Sequence, residues 1–328
     1  MLAVIGGSGF IGTRLAKRLK AEGVQFFIVD KRISTEFPDL TRVADVTDAT
    51  SLIPALIGAS AIINLAAEHR DDVRPLSRYQ DVNVRGAENI CAAARRIGVQ
   101  KIVFTSSVAI YGFAPEGTDE SGKIAPFNEY GRTKALAERV FAQWQQEAVA
   151  ARTLVVIRPT VVFGEGNRGN VYNLLKQISS GRFLMVGSGK NRKSMAYVEN
   201  VASFIEHMLQ MPCGVHAFNY VDKPDFVMND LVARVRVLTG HGANVGLRIP
   251  YMAGFLAAKL FDLVAGLTGH SFTISSVRVK KFCSNSVYGT SIGETTFVPP
   301  VDLLVALERT VRYEFIEDNS NKTTFLTE

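Results

Sequence analysis

Cysteine is scarce in this 328-residue chain: Cys91, Cys213 and Cys283 lie far apart, with no C-x-x-C and no histidine spaced to join them. That argues against a disulfide framework and a zinc module, so no metal centre is expected, and a reducing cytoplasm is the simplest setting. Charge of neither sign forms a block. The 37 lysines and arginines exceed the 31 acids by enough for a net +6, which suits an anionic small substrate, and no basic run argues for nucleic acid. Low-complexity tracts, internal repeats and long linkers are absent, and the opening "MLAVIGG" runs into a strand pattern with none of the marks of a secretory leader. A long uninterrupted apolar run is missing too. The nearest thing, "IPYMAGFLAAKLFDLVAGLTG", carries Lys259 and Asp262 mid-segment and Pro250 at one end, so a buried or interface helix is expected rather than a membrane span, and membrane contact is not the expectation, peripheral contact being the minor alternative.

What is present is alternation. "LAVIGG", "QFFIVD", "AIINLAA", "KIVFTSS" and "TLVVIRPTVVFG" read as strands buried on both faces. Between them "IGTRLAKRLKAEG", "ATSLIPALIG", "QDVNVRGAENICAAARRIG" and "RTKALAERVFAQWQQEA" read as amphipathic helices. This is the signature of βαβ units in an α/β, Rossmann-type doubly wound parallel sheet. After Gly164 the pattern loosens, although "VHAFNYV" reads as one more strand. Residues 1–164 are therefore expected to form the dinucleotide-binding domain, with a return to it at about 190–222 and a smaller C-terminal lobe, within 165–328, for substrate. The last residues, "EDNSNKTTFLTE", read as a frayed tail.

The first strand leads into "VIGGSGFIG", where Gly6, Gly9 and Gly12 stand three apart and Phe10 and Ile11 open the helix. Glycines in that position let the turn tighten and let backbone approach a pyrophosphate, while the helix N-terminus offers its N–H groups to the negative charge. Asp30 ends the second strand, where an acid accepts hydrogen bonds from the adenosine ribose. A carboxylate there repels a 2′-phosphate, so NAD is expected, while Lys31 beside it leaves NADP open. Asp45 and Val46 are candidates for the adenine edge, and Ala66 and Ala67 for the small wall close to the cofactor.

Ser106 and Ser107 end the strand "KIVFTSS" at the carboxyl edge of the sheet, where open α/β folds place ligands. Downstream, "NEYGRTKALAE" sets Tyr130 and Lys134 four apart, one above the other on a helix. A phenol with its ordinary pKa near 10 is a poor base at neutral pH, and bringing it down three pH units takes about 4 kcal/mol. Lys134, aided by a positive nicotinamide ring, is expected to supply much of that. Ser107 would hold the substrate oxygen while Tyr130 moves its proton.

Taken in order, "GGSGFIG", Asp30, "NLAA", Asn83 in "VNVRGAENI", "TSSVAIYG", "YGRTK", "RPTVVFGEG" and "AYVENVA" span about 210 positions. The chain thereby resembles the extended short-chain dehydrogenase/reductases, in their NAD-dependent nucleotide-sugar epimerase/dehydratase branch. The resemblance implies Ser107, Tyr130 and Lys134 as a catalytic triad, with Tyr130 and Lys134 also at the nicotinamide ribose. It further implies a nucleotide sugar in the C-terminal lobe, and it makes a homodimer through two sheet helices an open possibility.

Departures from the family narrow the chemistry. The Asp-Glu pair that follows the active serine or threonine in 4,6-dehydratases is replaced by Val108 and Ala109, which removes the acid and base for eliminating water. C4 epimerisation of a UDP-linked or related hexose is the leading expectation, with reduction of a nucleotide-linked 4-keto-6-deoxy sugar as the alternative. Val161 stands where many sugar epimerases have asparagine. For substrate, Arg192 or Lys193 is expected on the diphosphate and Asn170 and Val171 near the sugar nucleotide, with Arg278 and Lys281 as further phosphate candidates. A sterol-type dehydrogenase would need Leu256, Leu260 and Leu263 to line a greasier pocket, and a non-catalytic dinucleotide sensor would have no use for the retained Tyr130 and Lys134.

Overall fold

In the computed structural model, which describes residues 1–70, 73–268, 275–319 and 321–326, the β-branched runs form a parallel sheet. Its first six strands are β1 (Leu2–Ile5), β2 (Phe26–Asp30), β3 (Thr41–Val43), β4 (Ala61–Asn64), β5 (Lys101–Thr105) and β6 (Thr153–Pro159). Three short strands, β7 (Val161–Phe163), β8 (Leu184–Val186) and β9 (Arg192–Tyr197), intervene before β10 (Gly214–Tyr220) returns to complete it. The order is β10-β6-β5-β4-β1-β2-β3, every neighbour pair parallel, so the winding reverses between β1 and β4. Clefts outside the carboxyl ends of the strands at such a reversal are where these sheets hold ligands.

Strand period places alternate side chains in opposite layers. Ala3, Ile5, Phe27 and Val29 enter one core, with Leu52, Ile90, Phe141 and Trp144, whereas Val4, Phe26 and Ile28 enter the other, with Leu15, Leu19, Val201 and Ile205. The first layer is built on α2 (Ala49–Leu56), α4 (Gly86–Ile97) and α5 (Glu129–Gln146), and the second on α1 (Phe10–Ala21) and α7 (Val198–His207). A short α3 (Ser77–Tyr79) passes through a π turn at Gln80–Arg85 into α4. Arg14 and Arg18 tie α1 to Glu199 and Glu206 of α7 at 3.0 and 2.8 Å.

The smaller lobe combines the sheet β11-β9-β7, with β11 (Asp222–Val227), and the pair β8-β12, with β12 (Leu247–Ile249). Around them lie α6 (Asn170–Ser179), α8 (Met228–Leu238), α9 (Tyr251–Thr268), α10 (Ser276–Cys283) and α11 (Leu303–Phe315), over a third core containing Leu175, Met185, Val232 and Leu307.

Two expectations need correction. Part of the C-terminal stretch is tied down: Phe325 exchanges backbone hydrogen bonds with Gly166 and Arg168 and packs its ring 5.8 Å from that of Phe10, while residues 320, 327 and 328 lie outside the described residues. Of the two alternatives for helix α9, a buried or an interface helix, burial within the chain is set aside, because Gly254 and Ala258 face the lobe while Leu256 and Leu260 on its other side are exposed. Among the described residues no helix is long and apolar enough to cross a membrane.

Candidate active site

A cleft of about 610 Å³ opens at the carboxyl ends of the strands, and the glycine turn forms its floor. Gly6 has φ +75°, and a Cβ there would lie 2.7 Å from the Ala66 nitrogen; at Gly12 one would strike the Gly7 Cα at 2.5 Å. The first glycine therefore permits the turn, and the last lets α1 seat against it. Gly9 lines the cleft, and a Cβ there would meet only the Gly6 carbonyl, at 3.3 Å, so its missing side chain leaves room on the cleft side.

Asp30 projects from β2 into the same space. Its two carboxylate oxygens accept one hydrogen bond each, from the Ser8 and Arg32 backbone N–H groups at 3.1 Å, which orients the carboxylate and leaves lone pairs open. Phe10, Ile11, Lys31, Asp45, Val46, Ala66 and Ala67 line the cleft as well, so all the cofactor candidates converge. Asp45 is fixed by the Thr47 N–H and hydroxyl, both at 2.9 Å. Deeper in, the buried Ser106 hydroxyl lines the cleft with no hydrogen-bond partner among the described residues. A glycine cradle, an oriented carboxylate and an unpaired buried hydroxyl fit a dinucleotide.

At the other end, Ser107 caps a 3-10 turn, Val108–Tyr111, accepting a hydrogen bond from the Ala109 N–H at 3.2 Å. Helix α5 begins against this turn. Asn128 caps it by accepting from the Gly131 N–H at 2.9 Å, and glycine at 131 is required because a Cβ would sit 2.4 Å from the Ala109 carbonyl oxygen. The close approach brings Tyr130 and Ser107 together on one wall of the cleft. Asn83, in the π turn, clamps the Glu68 backbone at 2.8 and 3.0 Å and donates to Thr133 at 2.9 Å, tying the β4 loop to α5.

The electrostatics differ from the simple expectation of a lysine pulling a phenol down. Burial raises the Tyr130 pKa, and it is the Ser107 hydroxyl that opposes it. Lys134 is only 2% exposed; desolvation lowers its pKa to about 7, with Glu138 one turn on acting the other way. Its ammonium donates to the Thr105 carbonyl at 2.5 Å and lies 4.4 Å from the Phe104 ring centre. Glu138 is itself held by Arg158 in a buried ion pair at 2.8 Å.

The substrate candidates divide. Asn170 and Lys281 line the cleft, and Val171, Arg192, Lys193 and Arg278 do not. Val171 turns into the third core, Arg192 pairs with Glu116 on the surface, and Lys193 spends its ammonium on the Lys281 carbonyl at 2.7 Å and the Ser286 hydroxyl at 3.2 Å, its pKa lowered by burial to about 8. His69, Asn128, Thr160, Asn167 and Tyr288 complete the wall without having been anticipated. Thr160 follows the end of β6, so the strand-edge rule that found Ser107 would have found it; Tyr288 comes from a distant segment that carries no such signal. Val108, Ala109 and Val161 also line the cleft. Among the described lining residues the acids are Asp30 and Asp45, on the β2 and β3 side, and the wall around Tyr130 carries no carboxylate.

Fold and cleft together define an NAD-dependent enzyme of the extended short-chain dehydrogenase/reductase type. The chain belongs to the NAD dependent epimerase/dehydratase family, whose model matches residues 2–220. It is 46% identical to the N-acetyl-alpha-D-glucosaminyl-diphospho-ditrans,octacis-undecaprenol 4-epimerase of Escherichia coli O157:H7, over 99% of this chain and 98% of that one. To the UDP-glucose 4-epimerase of Vibrio cholerae it is 27% identical, over 82% and 85% of the two chains. In fold it is similar to the UDP-N-acetylglucosamine 4-epimerase of Bacillus cereus, with a TM-score of 0.75, 17% identity, and coverage of 94% and 97%.

Proposed function

We propose that this enzyme inverts C4 of an N-acetylhexosamine joined through a diphosphate to a polyprenol carrier. The observation that carries the reading is the 46% identity, sustained over nearly the whole of both chains, to an enzyme named for that reaction. The cleft supports the chemistry. When bound, NAD supplies the hydride acceptor and donor and a positive nicotinamide ring. Tyr130 takes the proton from the C4 hydroxyl and later returns it, while Ser107, beside it on the cleft wall, holds the same substrate oxygen. Lys134, anchored on the Thr105 carbonyl, keeps α5 in register with β5 and presents its ammonium to the nicotinamide ribose. With valine and alanine at 108 and 109 the wall near Tyr130 lacks the carboxylates that expulsion of water would need, so the chemistry ends with hydride and proton returned.

The test is to incubate purified protein, with no coenzyme added, with undecaprenyl diphosphate N-acetylglucosamine in detergent and, separately, with UDP-N-acetylglucosamine. Released sugars are then identified by chromatography. Galacto product from the lipid-linked substrate is expected. Conversion of the UDP sugar alone would sink the carrier assignment, and conversion of neither would sink the C4 epimerisation of N-acetylglucosamine.

A further inference from the structure

The α9–α10 pair exposes a surface that the cleft chemistry does not use. Along α9, Met252, Leu256, Leu260 and Leu263 recur at helical spacing and are 60–63% exposed. Lone exposed apolar residues need no explanation, but a continuous ridge of them does. The opposite face is seated: a Cβ on Gly254 would lie 2.6 Å from the Val186 side chain, and Ala258 is fully buried. The helix is thus docked on the lobe by its small residues, with its large ones turned outward.

Cations accompany the ridge on α9 and on α10, which packs against it. Helices α9 and α10 carry Lys259, Arg278, Lys280 and Lys281 against a single acid, Asp262, whose carboxylate accepts the Ser276 N–H at 3.1 Å. The basic edge leads back to the active site. Lys281 stands 4.3 Å from the Phe127 ring centre and Lys280 5.5 Å from that of Phe113; both rings are exposed and lie 4.8 Å apart. Phe127 and Lys281 are also walls of the cleft. The helix that bears the apolar ridge thus packs on a basic helix, and that basic helix reaches the cleft wall at Lys281.

We propose that the α9–α10 surface docks on an anionic lipid bilayer, seating Met252, Leu256, Leu260 and Leu263 at the acyl boundary with Lys259, Arg278, Lys280 and Lys281 among the headgroups. Apolar area on one side of a helix with basic residues at its margin is the composition that interfacial helices use, and no described helix spans a bilayer. The choice of a membrane over a protein partner rests on the proposed lipid-linked substrate: a polyprenol stays in the bilayer, so the cleft must come to it, and the docked face is the one beside the cleft.

The experiment is co-sedimentation of the intact protein with vesicles of phosphatidylglycerol and phosphatidylethanolamine, and with vesicles of phosphatidylcholine alone. Binding to the anionic vesicles is expected, weakening from about 0.1 to about 0.5 M salt, and about tenfold or more weaker in the Leu256→Ser/Leu260→Ser variant. These positions are exposed and do not line the cleft, so the variant should keep its bound NAD and its turnover of detergent-dispersed substrate. Wild-type protein left in the supernatant, or a variant that binds equally well, would overturn the proposal. A wild-type dimer in light scattering that the same substitutions dissolve, with no vesicle binding, would overturn it in favour of an interface between copies. Because the vesicles contain no substrate, binding without turnover of the lipid-linked sugar would leave the docking surface standing and remove the carrier assignment instead.

Discussion

Replacing Lys134 with methionine should stabilise the nucleotide-free protein, most at acidic pH and least at alkaline pH. The gap between the ordinary lysine value of 10.5 and about 7 in the fold corresponds to about 5 kcal/mol, at about 1.4 kcal/mol per pH unit. A lysine whose folded pKa lies below its unfolded one binds fewer protons in the folded state between those two values. Stability from this group is therefore lowest below about pH 7 and rises with pH toward about 10.5. At about pH 6 the native protein carries the whole burden of about 5 kcal/mol, and at about pH 9 only about 2 kcal/mol remains. Methionine removes the charge but forfeits the bond to the Thr105 carbonyl, at a cost of about 1–3 kcal/mol that does not depend on pH. The variant should accordingly be about 2–4 kcal/mol more stable near pH 6 and roughly equal near pH 9. Urea unfolding of nucleotide-stripped protein, followed through the single tryptophan, buried Trp144, measures both. An advantage that did not shrink with rising pH would refute the argument, because every other titrating group is common to the two proteins.

Three further outcomes are expected. Tyr130→Phe should lower turnover about 10²–10⁴-fold while leaving NAD retention intact, and retained turnover in single-turnover assays would remove Tyr130 from the chemistry. Asp30→Asn, which keeps an acceptor for one of the two backbone donors but removes the charge, should shift the NADP/NAD affinity ratio toward NADP by about tenfold, read by competitive titration; an unchanged ratio would show that the carboxylate does not face the ribose. Arg158→Met should cost about 3–5 kcal/mol in urea unfolding by leaving Glu138 buried and unpaired, and adding Glu138→Gln should restore much of it; a loss under about 1 kcal/mol would mean that the carboxylate finds water.

The dinucleotide end was legible because its signal is local. Gly6, Gly9 and Gly12 act on the turn in which they sit, and Asp30 occupies the last position of a strand whose neighbour is the next in sequence, so spacing alone brings them together. Ser107 and Tyr130 were legible by a different route: a strand edge and a helix start, each readable, that converge because successive βα units share one edge of the sheet. The substrate side was legible only in part, since Asn170 and Lys281 line the cleft and the other basic candidates do not. Lys193 and Arg192 sit where a basic residue was expected, yet their ammonium and guanidinium groups are taken up by Lys281, Ser286 and Glu116 from distant parts of the chain.

Sequence by itself determined the layered α/β sheet and the cofactor cradle, and it excluded the dehydratase carboxylates at 108 and 109, since strand period, helix period and residue identity are all properties of short stretches. The tertiary structure decided what depends on burial and on remote partners. It set the depressed pKa of Lys134, the engagement of Lys193, the anchoring of Phe325 beside Phe10, and the outward face of α9. An apolar helix reads the same whether buried or exposed, and only the packing of Gly254 and Ala258 against the lobe fixes which side is turned to the outside.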